Sequence, residues 1–499
     1  MGNSDAQETP GTATRREFLK RSALAVAAPG VAARELTASQ AAAGDPQART
    51  KKPNVLLYIA DQFRWDFVHA YGLNPTPVTP NLDSVARRGI AFRNAVTNQP
   101  LCSPSRACLF TGMYASETGV WTLGPGLKPG AVTLATLFGG QGYSTNYIGK
   151  WHLAPNVRGK PESHGFVPPQ YRGGFKDLWE ASNELELTSH PYEGTIWNGD
   201  GTPMHFKDIY RVDYITSLAV DFLRRRHEQP FFLVVSQLEP HFQNDAVAFI
   251  PPKEYAKTYQ NAFVPHDLRF FPGDWEAQLA GYYGDIKRID DSVGTVLQTL
   301  QEQGIEDNTI FVFISDHGCH FRTRNAEYKR SPHESSIHIP LVMQGPGLNH
   351  SRMVEELVSM VDVTPTLLDA AGMPPQAGMR GRSALPLATS AAARSAWAEQ
   401  SADGTFIQLS QSEVGRALRT PEWTYCAVDL FGKGNTQPAS SRYQEYQLYN
   451  LASDPHQLLN LAGRRETKKI AAELRARLIA DIKEVEKMDV EIVPAPLYP

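Results

Sequence analysis

The chain has 499 residues, of which 41% are hydrophobic and 20% are charged, so it is long enough for one large globular domain and a smaller one. A formal net charge of -4 gives no reason to expect a nucleic acid as a partner. Four cysteines are too few for a disulfide framework, and their spacing contains no Cys-x-x-Cys metal pair.

Residues 1–44 have the composition of an export signal. The run TRREFLK at residues 14–20 precedes a weakly apolar stretch at residues 23–33 and three alanines that end at Ala43. This order resembles a twin-arginine signal cleaved near Ala43, with a disordered basic N-terminus as the alternative. The apolar stretch contains Pro29 and is too short to span a bilayer, so we expect no stable membrane span. We predict a bacterial periplasmic or secreted protein that the twin-arginine export machinery carries.

Three later runs are largely apolar, as strands buried on both faces are: residues 54–60, 231–235 and 309–314. Asp61 and Gln62 follow the first run, His241 comes soon after the second, and Asp316 and His317 follow the third. The carboxyl ends of parallel strands meet at one edge of a sheet, where open α/β sheets place their ligands. We therefore expect these polar side chains to lie close together.

Helix-like stretches alternate with these strands at residues 82–88, 133–138, 215–226 and 275–302. Such alternation predicts an α/β, doubly wound domain with a mostly parallel sheet. Residues 374–393 are rich in Pro, Gly, Ala and Ser, which is typical of a connection between domains. We predict a catalytic domain at residues 45–378 and a smaller C-terminal α+β subdomain at residues 379–499, with a charged helix over residues 466–487.

Cys102 opens the motif CSPSR at residues 102–106, and a Thr-Gly pair follows at residues 111–112. On composition alone this cysteine would be a buried structural residue, or half of a disulfide with one of the other three cysteines. The motif instead resembles the Cys-x-Pro-Ser-Arg signal of type I sulfatases. In that family the cysteine is oxidised to formylglycine, so the resemblance implies a separate formylglycine-generating maturation enzyme as a partner.

Other motifs of the same family occur in the family's order between residues 53 and 465. They are Thr79 to Asp83 before the cysteine, Gly-Lys-Trp-His at residues 149–152, Lys329 with Glu334 after it, and Leu-Tyr-Asn-Leu at residues 448–451. The chain is therefore similar to type I sulfatases of the alkaline phosphatase superfamily, and among them to exported bacterial polysaccharide sulfatases. The resemblance implies an alkaline-phosphatase-like fold and the activity of a sulfuric ester hydrolase.

The resemblance assigns the metal contacts to Asp61, Gln62, Asp316, His317 and Cys102 as formylglycine. A divalent cation suits the reaction because the ester is anionic and the departing oxygen gains negative charge. The commonest family pattern is Asp-Asp and Asp-Asn, so Gln62 removes a carboxylate and His317 replaces an amide. Calcium prefers oxygen ligands, whereas an imidazole favours a softer ion. We expect one Ca²⁺ ion, with Mn²⁺ and Mg²⁺ as alternatives.

For catalysis, the resemblance implies that the aldehyde made from Cys102 is hydrated to a geminal diol. One hydroxyl attacks sulfur and expels the alcohol, and the other, once deprotonated, expels sulfate and restores the aldehyde. A serine at this position would lack the second hydroxyl. By the same resemblance, Arg106 would orient the diol and His152 would assist the second deprotonation.

The resemblance also gives roles in binding the sulfate group. Lys150 and Lys329 would neutralise sulfate oxygens, and His241 would bind sulfate or protonate the leaving oxygen. Outside this motif context, a lysine is more often a solvated surface residue and a lone histidine a structural hydrogen-bonding group. Phosphatases of the superfamily use extra Asp and His ligands for a second metal ion, whereas fixed cations occupy the matching motifs here.

We predict a sulfated poly- or oligosaccharide as the substrate. Candidate contacts to it are Arg64, Trp65, His320, Arg322 and Arg324, each of which has a surface or packing role as the alternative. Selectivity is expected to depend on the loops at residues 154–202 and 243–274.

Two other functions are compatible with parts of the pattern. The Asp-Gln and Asp-His pairs also resemble phosphonate monoester hydrolases of the superfamily, so hydrolysis of phosphonate monoesters or phosphodiesters is the alternative activity. A non-catalytic carbohydrate-binding relative would have lost Cys102, Arg106 or a metal carboxylate, and this chain retains all of them.

Overall fold

In the computed structural model, residues 52–156 and 161–498 are described, and the predicted export signal lies outside them. The α-helices of these residues are α1 (Pro80–Arg88), α2 (Cys102–Thr111), α3 (Ala115–Thr118), α4 (Leu134–Gly140), α5 (Leu185–Thr188), α6 (Arg211–Leu223), α7 (His266–Arg269), α8 (Trp275–Glu302), α9 (Glu334–Ile337), α10 (Met360–Ala370), α11 (Ala391–Ser401) and α12 (Lys468–Glu486). Within the same residues, no helix has the length and apolar character that crossing a membrane requires.

The strands are β1 (Asn54–Ala60), β2 (Ile90–Val96), β3 (Ser144–Lys150), β4 (Trp179–Ser182), β5 (Ser189–His190), β6 (Glu193–Asn198), β7 (Pro203–Lys207), β8 (Phe231–Ser236), β9 (Thr309–Ser315), β10 (His338–Ile339), β11 (Leu341–Gln344), β12 (Arg352–Ser359), β13 (Thr405–Leu409), β14 (Val414–Arg419), β15 (Trp423–Asp429), β16 (Arg442–Asn450) and β17 (Glu491–Val493). The three apolar runs predicted as strands are β1, β8 and β9. Their interpretation is confirmed.

Twelve strands form one large sheet whose centre is the parallel order β9-β1-β8-β3-β4. Antiparallel strands extend it on both sides, with β11, β2 and β10 beyond β9, and β6 with β5 and β7 beyond β4. The twelfth strand, β12, pairs in parallel with β2. The doubly wound, mostly parallel sheet predicted from the sequence is confirmed. The segment 154–202 is not simply a loop, because β4, β5 and β6 lie in it and pair with the sheet edge.

Helices cover both faces of this sheet. Leu57 of β1 belongs to one core, together with residues of α2, α4 and α10, and the next residue, Tyr58, belongs to the opposite core with residues of α1, α6 and α8. Successive side chains of a strand point to opposite faces, so a strand covered on both faces is apolar at every position. This is why β1, β8 and β9 were readable in the sequence.

The predicted helix over residues 275–302 has those bounds in the structure, whereas α6 begins at Arg211 and not at residue 215. Arg211 is buried at the start of α6 because its guanidinium forms an ion pair with Glu239, with Nη2 and Oε1 2.7 Å apart. A helix predicted from the spacing of apolar residues does not include a buried arginine, because arginine is not apolar. The prediction therefore missed the first turn of this helix.

The smaller C-terminal part is a second sheet in the order β13-β14-β15-β16-β17, antiparallel except for its last pair. Helix α12 packs on this sheet through Leu474, Leu478 and Ile482. A separate apolar cluster that includes Val96 and Ile407 joins the small sheet to the large one. Both parts belong to one compact unit. The boundary at residue 378 stays a prediction.

Candidate active site

The site lies at the carboxyl ends of the central parallel strands. Ala60 of β1 pairs in register with Ser315 of β9, so the residues that follow, Asp61 and Asp316, leave the sheet side by side. The backbone N–H of Gln62 donates to Oδ1 of Asp316 at 3.2 Å. The neighbouring ends of two parallel strands thus bring together two carboxylates that are distant in the sequence.

Cys102 is the first residue of α2. Pro104 is tolerated in the first turn of this helix, and Gly112 ends it in the left-handed conformation at φ 69°. The helix N-terminus directs the cysteine towards the carboxylates, with Sγ 3.6 Å from Oδ1 of Asp61. All four cysteines are free thiols, so the alternative interpretation of Cys102 as half of a disulfide is wrong.

This thiol belongs to a group of four possible metal ligands. Side-chain ligand atoms of Asp61, Cys102, Asp316 and His317 all lie within 4.8 Å of one another, and all four residues are buried. His317 places Nδ1 3.0 Å from the carbonyl oxygen of Gly318. That contact assigns the proton to Nδ1 and leaves the lone pair of Nε2, 3.3 Å from Sγ of Cys102, to accept a hydrogen bond or bind a metal ion.

Gln62, the residue after Asp61, carries a further candidate ligand oxygen. Its Nε2 donates to Sγ of Cys319 at 3.4 Å, while its Oε1 is buried and has no hydrogen-bond partner among the described residues. Burying an amide oxygen without a hydrogen-bond partner destabilises the fold unless a bound ion or water contacts that oxygen. Two carboxylates, an amide oxygen and an imidazole nitrogen fit one divalent metal ion.

Arg106 lies one helical turn after Cys102 and faces the same carboxylates. Its Nε donates to Oδ2 of Asp316 at 3.0 Å, and its Nη2 donates to Oδ2 of Asp61 at 3.3 Å. Nη1 donates to Oγ of Ser236 at 2.8 Å. Burial would lower the pKa of Arg106, but the two aspartates outweigh burial and raise it. The guanidinium therefore stays charged and fixes the orientation of both carboxylates.

Two lysines complete the surroundings of the thiol. Nζ of Lys150 donates to Oδ2 of Asp61 at 2.8 Å, and Nζ of Lys329 donates to Sγ of Cys102 at 3.0 Å. Burial would raise the pKa of the Cys102 thiol, but Lys150, Lys329 and His317 outweigh it and lower that pKa well below its usual range. The position of Sγ is therefore one at which the protein stabilises negative charge.

The two predicted histidines, His152 and His241, lie beside this centre and are nearly buried. His152 has a positive φ of 59° and directs Nδ1 towards Glu186, 3.6 Å from Oε1. Nδ1 of His241 contacts the carbonyl oxygen of Phe242 at 2.7 Å. Burial, and then Lys329, lowers the pKa of His241, and Cys102 is among the groups that interact with it. With Nδ1–H donated to the carbonyl oxygen of Phe242, Nε2 of His241 is the nitrogen that can take up and return a proton.

Sequence reasoning missed two carboxylates, Glu184 and Glu186, just after β4. Oε1 of Glu186 accepts a hydrogen bond from Nζ of Lys150 at 2.9 Å. Oε1 of Glu184 is 3.7 Å from Nε2 of His152, and its Oε2 contacts Nδ1 of His164 at 2.5 Å. The only signal in the sequence was their place after a short strand. That strand lacks the long apolar run that made β1, β8 and β9 recognisable.

The structure does not place the candidate substrate-binding residues next to the residues around Cys102. Arg64 is buried and forms ion pairs with Asp66 and Asp267, at 2.6 and 2.8 Å. Trp65 stacks on His338 with ring centroids 3.9 Å apart. With Arg324, these two side chains line a small cavity whose described lining contains none of the residues around Cys102.

The remaining candidates have other neighbours. Both terminal nitrogens of Arg324 donate to backbone carbonyl oxygens, Nη1 to Gln457 at 2.8 Å. Nε2 of His320 contacts the carbonyl oxygen of Lys329 at 3.0 Å and supports the backbone of that lysine. Arg322, whose side chain is 40% exposed, lies over the ring of Tyr328. A role of these residues in binding substrate stays a prediction.

Comparison with known proteins agrees with this geometry. Residues 53–373 match the protein family described as Sulfatase, and residues 327–425 match the family described as N-sulphoglucosamine sulphohydrolase, C-terminal. An ulvan-active sulfatase of Formosa agariphila is 28% identical over 457 residues, which cover 88% of this chain and 83% of that protein. An arylsulfatase of Clostridium perfringens is 28% identical over 485 residues, which cover 87% of this chain and 95% of that protein.

One solved structure, a protein in complex with its substrate D-glucosamine-2-N,6-O-disulfate, has a TM-score of 0.71 to this chain at 22% identity. The match covers 88% of this chain and 99% of that one. At this level of identity the likeness supports the fold.

Proposed function

Because the chain belongs to the sulfatase family and is a sulfuric ester hydrolase, we propose that it removes sulfate from poly- or oligosaccharides with a formylglycine made from Cys102 and one divalent metal ion. The observation that carries the proposal is the place of Cys102, at a helix N-terminus between Asp61, His317 and Lys329. The relative from Formosa agariphila acts on ulvan, and one structural neighbour binds a disulfated glucosamine. Both support a carbohydrate substrate.

Residue Cys102 supplies the nucleophile in this proposal. Formylglycine at that position provides, as its hydrate, two oxygens on the same carbon, one to attack sulfur and one to release sulfate afterwards. In the unmodified chain, Sγ of Cys102 stands where these oxygens would lie. The groups that lower the pKa of the thiol, Lys150 and Lys329, would likewise favour an ionised oxygen there.

The metal ion would be held by Asp61, Gln62, Asp316 and His317, with Ca²⁺ as the first candidate and Mn²⁺ or Mg²⁺ as alternatives. It would supply positive charge to a sulfate oxygen and to the nucleophilic oxygen. Arg106 keeps both aspartates in place through Nε and Nη2, while its Nη1 donates to Ser236. The ligands are therefore oriented before any ion or substrate binds.

The remaining site residues bind the ester and move protons. Nζ of Lys329 donates to Sγ of Cys102, and the ammonium of Lys150 acts electrostatically on the same thiol, so both lysines would bind sulfate oxygens. His152, next to Lys150 in space, would take the proton from the second hydroxyl. His241, whose Nδ1–H donates to the carbonyl oxygen of Phe242, would take up a proton at Nε2 and deliver it to the departing oxygen, and its lowered pKa makes the protonated ring a stronger acid.

Maturation and transport belong to the same proposal. A formylglycine-generating enzyme would oxidise Cys102 in the cytoplasm, and the twin-arginine machinery would carry the folded enzyme to the periplasm or outside the cell. The support for export is the motif TRREFLK at residues 14–20, which lies outside the described residues.

The test joins a mass measurement to an activity measurement. Peptides that contain residue 102 are compared by mass spectrometry after expression with a maturation enzyme, and sulfate release is measured on a panel of sulfated glycans. We expect a mass loss of about 18 Da at Cys102, and sulfate release that disappears in Cys102→Ala. An unmodified thiol in a host that converts a control sulfatase, or full activity of Cys102→Ala, contradicts the proposal.

A second candidate is hydrolysis of phosphonate monoesters or phosphodiesters with the same nucleophile. The observation that favours it is the metal set, in which Gln62 and His317 stand where most sulfatases have a carboxylate and an amide. Including an aryl phosphonate monoester in the substrate panel separates the two candidates, because each predicts the higher kcat/KM for its own ester.

A further inference from the structure

A third carboxylate, Glu186, lies within the cationic side of the site. Its Oε1 accepts from Nζ of Lys150 at 2.9 Å and lies 3.6 Å from Nδ1 of His152. The side chain is only 7% exposed. Its other oxygen, Oε2, is buried without a hydrogen-bond partner among the residues that the structure describes. Glu186 therefore has one direct charged partner, and that partner is a lysine of the sulfate-binding region.

A carboxylate beside an anion-binding lysine weakens the attraction that this lysine exerts on any anion. Among the described residues, Asp61 and Lys329 contact Cys102, and ion pairs join Asp61 to Arg106 and Lys150, Arg106 to Asp316, and Lys150 to Glu186. The two aspartates face the metal position, whereas Glu186 does not belong to the cluster of metal ligands. Glu186 thus reduces the positive charge of the site without holding the metal.

Glu186 stays ionised over the working range of pH. Burial would raise its pKa, but Lys150 and His152 outweigh burial and lower that pKa to about 2. Cys102 and His241 also act on this carboxylate, which places it in the electrostatic environment of both the nucleophile and the ester. Its negative charge is therefore a constant feature of the site.

We propose that Glu186 determines charge selectivity, so that the site prefers singly charged esters, such as sulfate monoesters and phosphodiesters, to doubly charged phosphate monoesters. The inference rests on the proposed function, since it concerns the same ester-binding position. Coulomb energy scales with the charge of the ligand, so the repulsion from Glu186 acts about twice as strongly on a dianion as on a monoanion. A sulfate monoester and a phosphate monoester of the same alcohol have nearly the same size and tetrahedral shape, so charge is the property that distinguishes them.

The test compares three p-nitrophenyl esters in the matured enzyme and in Glu186→Gln, which keeps the shape of the side chain. The esters are the sulfate, bis(p-nitrophenyl) phosphate and the phosphate monoester, at a mildly alkaline pH where the last carries two charges. We expect the ratio of kcat/KM for the phosphate monoester to that for the sulfate to rise about tenfold. The ratio for the phosphodiester to the sulfate should stay nearly constant, because both carry one charge.

Glu184→Gln is the matched control. Glu184 contacts His152 and His164 but does not touch Lys150, so we expect both ratios to change by less than about threefold. If turnover of the phosphate monoester is too slow to measure, competitive inhibition by phenyl phosphate and phenyl sulfate reports the same difference.

Two results would overturn the inference. In one, Glu186→Gln leaves the phosphate-to-sulfate ratio unchanged, even if all rates fall together. In the other, kcat/KM relative to the sulfate rises equally for both phosphorus esters, which would mean that Glu186 distinguishes phosphorus from sulfur and not one charge from two. Neither result bears on the proposed function. That function fails instead if the matured wild-type enzyme releases no sulfate from any ester.

Discussion

The carboxylate of Glu334 and the guanidinium of Arg419 form a buried, two-point ion pair, with Nε to Oε1 at 3.1 Å and Nη2 to Oε2 at 3.0 Å. Glu334 begins α9, next to the large sheet, and Arg419 ends β14 of the small sheet. The pair therefore connects the two sheets. Burial would raise the pKa of Glu334, but Arg419 and His338 outweigh it and lower the pKa far below its usual value.

The first prediction concerns this pair. A carboxylate with a lowered pKa stabilises the folded state above its unfolded pKa of about 4.5, and this contribution is lost as the pH falls below that value. Glu334→Gln leaves a buried, unpaired guanidinium, so we expect a loss of about 3–5 kcal/mol in the free energy of unfolding at neutral pH. Urea denaturation at neutral pH and at pH about 4 measures it, and the difference from wild type should shrink at the lower pH.

The control for this prediction is Glu355→Gln, which removes the partner of Arg93 in an exposed pair. A solvated pair of this kind contributes about 1 kcal/mol or less. An equal loss in both variants, or a loss in Glu334→Gln that does not depend on pH, would contradict the assignment.

The second prediction concerns removal of the metal ion. Without an ion, Asp61 and Asp316 repel each other, and Oε1 of Gln62 has no partner among the described residues. We expect chelation to abolish sulfate release and to lower the thermal midpoint, since a ligand present at about a thousand times its Kd stabilises by about 4 kcal/mol. Adding back Ca²⁺, Mn²⁺ and Mg²⁺ singly ranks the ions by recovered midpoint and rate.

The variant Asp316→Asn provides the comparison for chelation. It removes one carboxylate from the ligand set, so its thermal midpoint should respond less to added metal ion than that of the wild type. A midpoint that is insensitive to chelation in the wild-type enzyme would exclude a bound ion as a source of stability.

The third prediction concerns Arg106, whose fork contacts Asp61, Asp316 and Ser236 at once. The three guanidinium nitrogens of Arg106 each donate to a different residue, and the single ammonium of a lysine cannot make all three contacts. Arg106→Lys should therefore lower kcat/KM by about a hundredfold or more. Because Arg106 also belongs to the motif around Cys102, the formylglycine content of each preparation is measured by mass spectrometry and used to normalise the rate. A normal rate per formylglycine would assign Arg106 to maturation alone.

The fourth prediction concerns Gly149, at the end of β3. Its φ is 102°, and a Cβ at this position would overlap the carbonyl oxygen of Ser236 on the neighbouring strand. Gly149→Ala should therefore cost about 3 kcal/mol or more, or prevent folding, because backbone and not a flexible side chain blocks the new atom. Gly140→Ala, in α4 with open space around it, should change stability by about 1 kcal/mol or less, in the stabilising direction.

Much of the fold and the centre of the site were predictable from local patterns. The apolar runs of β1, β8 and β9 identified the parallel core, and Asp61 and Asp316 followed from the ends of two of those runs. The motif around Cys102 identified the candidate nucleophile. These features are encoded by residues that are near one another in the chain, so a strand period, a helix start or a motif spacing reveals them.

Other features depend on partners that are distant in the sequence. Arg64 was a candidate substrate contact, but the structure pairs it with Asp267, more than two hundred residues later. Glu186 follows an inconspicuous strand, and its role arises only because β4 pairs with β3 and brings it to Lys150. The sequence by itself determined which candidate site residues stand at the strand ends and at the helix start. Only the tertiary structure decided which charges neutralise one another, because Coulomb interactions depend on distance in space and not on separation along the chain.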